Sequence, residues 1–230
     1  MDKKYAFVSD LHANLEALQA VKPKLEGMQV FVLGDIVGYG ADPGPVLRWV
    51  MENSVVQVQG NHDYAVGNER YEWLNTSAAF AARWTKERLD ARELNYLKEL
   101  PVMKKLKLDD YRVLLVHGSP EDPLHEYVFP ETHQSLFDYY LEKYECDIIA
   151  MGHTHFPFSF TTNKGVLFNP GSVGQPRDGD PRSSFAILEL EGGAPVVQHI
   201  RTDYDITGAS RKIYEAGLPK FFGDRLYQGH

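Results

Sequence analysis

Five short apolar runs, each breaking into a loop rich in Asp, His, Asn and Gly, narrow the folds open to this chain more than any other feature. The runs are Tyr5-Ala6-Phe7-Val8, Val30-Phe31-Val32-Leu33, Val55-Val56-Gln57-Val58, Val113-Leu114-Leu115-Val116 and Ile148-Ile149-Ala150-Met151. Their length and continuity predict strands buried on both faces, as in a sheet covered on each side. The loops that follow are Ser9-Asp10-Leu11-His12, Gly34-Asp35-Ile36-Val37-Gly38-Tyr39-Gly40, Gly60-Asn61-His62-Asp63, His117-Gly118 and Gly152-His153-Thr154-His155. Ligands gather beyond the carboxyl ends of strands in such sheets, so five loops from neighbouring strands are expected to converge on one spot.

Helical patterns fill the gaps. Residues 14–24 place Leu15, Leu18 and Val21 on one face, continued by Leu25. Residues 43–52 open on proline and bury Val46, Leu47 and Val50. Two helices are predicted within 76–100, the second started by a capping box at Asp90-Ala91-Arg92-Glu93. Residues 131–144 repeat Leu136, Phe137, Tyr140, Leu141 and Tyr144 at helical spacing. Beyond them the pattern changes to strands at 158–162, 166–168, 185–190 and 196–200. These read as antiparallel, with turns at Asn163-Lys164-Gly165 and Glu191-Gly192-Gly193. The expectation is one α/β domain over residues 1–230, with two mixed β-sheets packed face to face and helices on the outside.

Composition removes several function classes. The 230 residues suffice for a real core, and 43% hydrophobic with 24% charged residues is ordinary for a globular protein in water. A net charge of −8 repels a phosphate backbone, which argues against general nucleic-acid binding. A small anionic substrate then needs a local metal centre to reverse the field. Cys146 is the only cysteine, which excludes an intrachain disulfide and a cysteine-based zinc site. No stretch reaches the ~18 apolar residues of a bilayer span. The first ten residues lack the longer apolar run of a signal peptide. A cytoplasmic protein without membrane association is expected.

Histidine carries the chemical signal. Of nine, five (His12, His62, His117, His153 and His155) sit in the loops beside Gly, Asp or Asn. In extended chain residues i and i+2 point the same way, so Asp10 and His12 are expected to face one ion together, and His153 and His155 another. Glycines at 34, 60, 118 and 152 let the backbone turn sharply or approach the ions. Carboxylate, imidazole and amide oxygen together suit Mn, Fe, Zn or Ni rather than Ca. Singly, each motif also reads as a helix cap or a turn; their joint occurrence in order carries the weight.

In that order DxH, GDxxxxG, GNHD, HG and GHTH resemble the signature of the calcineurin-like metallophosphoesterase superfamily. The likeness runs from Asp10 to Ser172 and takes in Asn169-Pro170-Gly171-Ser172. Gly174-Gln175-Pro176-Arg177-Asp178-Gly179 resembles its small bacterial and archaeal phosphodiesterase branch. The resemblance implies that family's β-sandwich and two divalent transition-metal ions, Mn first, with Fe, Zn, Ni or Co as alternatives. It implies Asp10, His12, Asp35 and His155 at the first ion, Asp35 as a bridge, and Asn61, His117 and His153 at the second. It further implies that His62 is no ligand but stands beside the substrate, with Asp63 orienting it. The implied reaction is in-line attack on a phosphate ester by a hydroxide shared between the ions, with His62 steadying the transition state or protonating the leaving oxygen.

Outside the motifs, Arg177 reads as a clamp on a non-reacting phosphate. Arg182 reads as an ion pair with the nearby aspartates. Tyr39 is placed either to stack on a substrate ring or to cover the core. His125, in a Pro-rich loop directly after His117, is a candidate substrate contact. His133, His199 and His230 lack ligand-like neighbours, with His230 expected as a mobile terminus. Cys146 reads as a small buried residue. The favoured reading is a phosphodiesterase acting on small nucleotides or similar diesters, with cyclic nucleotides and dinucleoside polyphosphates among the candidates. A protein phosphatase or other phosphomonoesterase of the same superfamily is the alternative, disfavoured because no Arg accompanies Gly60 to Tyr64. A non-catalytic scaffold of this fold is disfavoured by the intact ligand set with His62. The sequence is compatible with a homo-oligomer.

Overall fold

Along residues 5–8 the side chains alternate between two destinations. Tyr5 and Phe7 enter a layer with Phe31, Leu33, Val113, Leu115, Ile148 and Phe168. Ala6 and Val8 enter another with Leu18, Val21, Leu47 and Val50. A strand with apolar residues at every position is therefore buried on both faces, one against a second sheet and one against helices.

The computed structural model describes residues 4–190 and 194–230. In chain order its strands and α-helices are β1 (Lys4–Val8), α1 (Leu15–Val21), β2 (Gln29–Val32), α2 (Pro43–Asn53), β3 (Ser54–Gln57), α3 (Asn61–Asn68), α4 (Thr76–Lys86), α5 (Ala91–Glu99), β4 (Met103–Leu108), β5 (Tyr111–Val116), α6 (Gln134–Lys143), β6 (Ile148–Ala150), β7 (Pro157–Thr161), β8 (Val166–Pro170), β9 (Ser183–Glu189), β10 (Val196–Thr202), α7 (Ile206–Glu215) and α8 (Phe221–Asp224). Two mixed five-stranded sheets result, in the orders β10-β9-β1-β2-β3 and β4-β5-β6-β8-β7. They pack face to face through rings such as Phe7, which stacks on Phe31 at 5.0 Å and meets Phe168 edge-on at 5.0 Å. Helices α1 and α2 cover the outer face of the first sheet, and Phe137, Tyr140 and Leu141 of α6 cover the second.

Four expectations need correction. The five motif-bearing strands are not neighbours in one sheet: β1, β2 and β3 lie in the first, β5 and β6 in the second. The third run is an edge strand with Val55 exposed, because β3 stands last in the order of the first sheet. Strand β8 is antiparallel to β7 but parallel to β6. The segment Gly60-Asn61-His62-Asp63 opens a helix rather than a plain loop, with Asp63 accepting the Gly60 N–H at 3.0 Å. The turn expected at 191–193 lies outside the described residues. Strand β4, with the sequence MKKLKL, was hidden by its lysines, which suit the exposed side of an edge strand. Among the described residues no helix is long and apolar enough to cross a membrane.

A candidate binuclear metal centre

The motif loops meet because hydrogen bonds tie them together across both sheets. The Asp10 N–H donates to the Gly34 carbonyl at 3.0 Å, and the Gly152 N–H to the His117 carbonyl at 2.8 Å. The His153 N–H donates to Asp10 Oδ2 at 3.2 Å, joining the two sets. Asp10, His12, Asp35, His153 and His155 all have φ between 45° and 68°, the left-handed region that ordinary side chains avoid. The extended geometry expected for Asp-x-His and His-x-His is therefore absent. His155 joins Asp10 and His12, whereas His153 joins Asp35 and His117. Left-handed backbone at both histidines sends their rings to different groups.

Asp35 stands between the groups. Its Oδ2 is 3.6 Å from His12 Nε2 and 3.4 Å from His117 Nε2, while its Oδ1 accepts the His62 N–H at 2.9 Å. On one side His155 Nε2 is 3.1 Å from Asp10 Oδ1. On the other, Asn61 Oδ1 is 3.2 Å from His117 Nε2. Close approach of Gly60 makes this possible, since a Cβ there would meet Asp35 Oδ1 at 2.1 Å.

This donor set fits divalent cations. His12, His117 and His155 donate Nδ1–H to the carbonyls of Val37, Leu33 and Gln175 at 3.2, 2.7 and 2.5 Å. A carbonyl only accepts, so each ring turns its Nε2 inward. His153 is reversed: Nε2 donates to the His125 carbonyl at 3.3 Å and Nδ1 is left for a ligand. Burial disfavours the charged form of the His12 and His155 rings and holds both below their ordinary value. Their two Nε2 lone pairs nonetheless face each other at 3.2 Å, an arrangement that asks for a cation between them. Asp10 Oδ1, fully buried, has no hydrogen-bond partner. Burial pushes the Asp10 and Asp35 carboxyls up, but His155 at Asp10 and His117 at Asp35 outweigh it and hold both well below the usual carboxylate range. Burial also opposes charge on His117, yet the Asp35 carboxylate beside it raises that ring to about 9. A proton there occupies a place a metal ion would take.

The surrounding residues divide into supports and a cleft wall. Asp63 does not hold His62, contrary to expectation. Its Oδ1 accepts the N–H groups of Ile36 and Val37 at 2.9 and 3.2 Å, so both its oxygens serve backbone. It pins the Asp35 loop and caps α3. Asn169 donates to Gly152 O at 2.6 Å and Thr154 Oγ1 at 3.0 Å, and Ser172 to Asp10 O at 2.8 Å. That motif therefore ties the first and last loops together. The His62 ring, 3% exposed, lies against Gly38 and 4.3 Å from the Tyr39 ring. Tyr39 in turn packs on Phe222 at 4.8 Å, so it covers the core and borders the site at once.

A cleft of about 80 Å³ opens over the two groups, and Arg177, Tyr39, Trp73 and Tyr127 are among its walls. Arg177 turns from the aspartates to Gln175 Oε1 at 2.9 Å and to the Tyr39 ring at 5.8 Å. Asp178 pairs with Arg201, and Asp180 with Arg182 at 2.7 Å. His125 supplies its carbonyl to His153, and its ring lies tilted beside Trp73, 5.3 Å away. His133 caps α6, and His199 donates to Asn169 O at 2.8 Å. His230, expected to be mobile, donates its N–H to Arg225 O at 3.4 Å. Cys146 is buried and free. Trp73 was not anticipated, while Tyr127 ends the Pro-rich loop after His117 that holds the candidate His125; only the fold brings their loops together.

A model of the calcineurin-like phosphoesterase superfamily domain matches residues 4–193. The chain is 35% identical to the protein MJ0912 of Methanocaldococcus jannaschii over 97% of each. It is 26% identical to the phosphodiesterase YfcE of Escherichia coli K12 over 81% of this chain and 87% of that one. The crystal structure of a metallophosphoesterase from Sphaerobacter thermophilus superposes with a TM-score of 0.85 at 33% identity, covering 100% of both chains.

Proposed function

Because the chain belongs to the calcineurin-like phosphoesterase superfamily, a family of divalent-metal phosphoester hydrolases, we propose that it is a binuclear phosphodiesterase acting on small nucleotide-type diesters. The position of Asp35 Oδ2 between His12 and His117 carries this reading, since a carboxylate so placed suits two cations at once. Asp10, His12, Asp35 and His155 would hold one ion; Asp35, Asn61, His117 and His153 the other. Mn leads the candidates, with Fe, Zn, Ni or Co as alternatives. Two such ions supply a water of lowered pKa and neutralise charge on the phosphoryl group. The protein's own part is to hold the ester in line, with Arg177 on a non-reacting oxygen and His62 toward the leaving group. The name of the Escherichia coli relative supports diester chemistry.

Among the described residues lining the cleft Arg177 is the one Lys or Arg, which favours a monoanionic diester over a monoester dianion. Bis(p-nitrophenyl) phosphate is expected to be turned over at least as well as p-nitrophenyl phosphate with Mn, Ni, Co, Zn and Mg in turn. A tenfold preference for the monoester across metals would reverse the assignment to a phosphomonoesterase.

Gly38 offers a test of how the site is shaped. Its φ is +92°, and a Cβ there would stand 2.4 Å from His62 Nδ1. Gly38→Ala is expected to displace the His62 ring and to lower kcat by up to about 10²-fold, the cost of an ångström of misplacement. Metal content, read by elemental analysis, should stay at two ions. Unchanged kcat would show that the ring's position is immaterial.

A further inference from the structure

We propose that the mouth of the cleft is a stacking platform for a planar aromatic group on one arm of the substrate ester, an inference that rests on the phosphodiesterase reading. Two large rings stand exposed there, Trp73 at 70% and Tyr127 at 52%. They come from different connections, Trp73 between α3 and α4 and Tyr127 between β5 and α6, yet both line the same cleft as Asp35 and Arg177. Each is backed by an imidazole. The Trp73 ring lies 5.3 Å from the His125 ring at 33°, and the Tyr127 ring 3.9 Å from the His153 ring at 27°.

Two large rings exposed over one polar cleft form the kind of grouped apolar surface that marks a ligand groove. The loop does not need Trp73 as an anchor, because Tyr71 and Leu74 on either side already pack against the core. Tyr127 rests on a proposed metal ligand, so a ring bound beside it has its phosphate within reach of the metal groups. An aromatic face accepts a flat heteroaromatic ring of any sequence or substituent, as single-stranded nucleic-acid binders show. A polar, cation-bearing floor under aromatic walls thus matches an ester that is anionic at one end and planar at the other. Nucleosides and simple aryl alcohols share that chemistry.

Three probes separate the sources: adenosine 5′-monophosphate, phenyl phosphate and ribose 5-phosphate, titrated into the metal-loaded protein. Binding is read by tryptophan emission and by competition against hydrolysis of a nitrophenyl diester. The adenosine compound is expected to bind roughly 5- to 150-fold more tightly than ribose 5-phosphate, the fold-change that one stacked base brings, and to quench emission. Trp73→Ala should abolish most of that ratio, and Trp73→Phe should retain it. A gain for the adenosine compound alone makes the ring a nucleobase; an equal gain for phenyl phosphate makes it any aryl group; both support the platform. Equal affinity of the adenosine compound and ribose 5-phosphate in the parent protein overturns it, as does an unchanged ratio in Trp73→Ala. Emission reports binding without turnover, so a protein that prefers the ring yet hydrolyses no ester would sink the enzymatic reading and leave the platform standing.

Discussion

Asp35→Asn is expected to carry at most one metal ion per chain where the parent carries two, and to lose more than about 10²-fold in diester turnover, beyond the 10- to 100-fold typical of residues that only support ligands. The reason is geometric as well as electrostatic. One oxygen of Asp35 accepts the His62 N–H at 2.9 Å, and the other stands between His12 and His117. An amide keeps only one of these arrangements. With its oxygen on His62, its NH₂ points at the place of the ions; reversed, its NH₂ meets an N–H. The negative charge that would offset two cations is also gone. Elemental analysis of the purified variant decides the matter, and full two-ion occupancy would remove Asp35 from the bridging role.

His62→Ala is expected to keep both ions and to lose roughly 10²–10⁴ in rate on an alkyl diester, whose leaving alkoxide needs a proton. Metal retention belongs to the test, because His62 lies close enough to His12 and Asp35 to be counted with them as a possible ligand group. On a nitrophenyl diester the loss should be much smaller, since nitrophenolate departs without a proton. Burial pushes the His62 ring down to about 4. The ring of the free protein is therefore neutral at pH 7, and its charged fraction falls as pH rises through 4. An acid role requires the anionic substrate to restore that proton, so the alkyl-ester rate should decline with rising pH and the variant should lose that limb. Equal losses on the alkyl and nitrophenyl esters would exclude leaving-group protonation and point to stabilisation of the phosphoryl oxygens.

Both variants act on residues visible in the sequence, and the reason lies in how local their signals are. Four-residue apolar runs such as Val113 to Val116 announce buried strands wherever they pair. The Asp, His and Asn residues that follow them need no partner to be recognised as metal-binding types. The helices with periodic apolar faces were equally legible: Val46, Leu47 and Val50 are all buried in α2, and Asp90 caps α5 with Glu93 in return.

What the sequence by itself determined, then, was most of the strands, the candidate ligand residues and the kind of chemistry they offer. Tertiary structure decided how the strands are shared between sheets and which bonds hold each loop in place. The split of five motif strands between two sheets, the separation of His153 from His155, and the use of Asp63 as a backbone clamp all depend on hydrogen bonds between residues far apart in the chain, such as that from His153 to Asp10. The left-handed backbone at Asp10, His12, His153 and His155 is held by those same long-range bonds against local preference; Asp10 and His12 still face one group, but an extended reading of His153-Thr154-His155 sends its rings the wrong way. Trp73 and Tyr127 reached one cleft for the same reason. Local propensity settles which residues form an element, but only the packed sheets set which loops share a space.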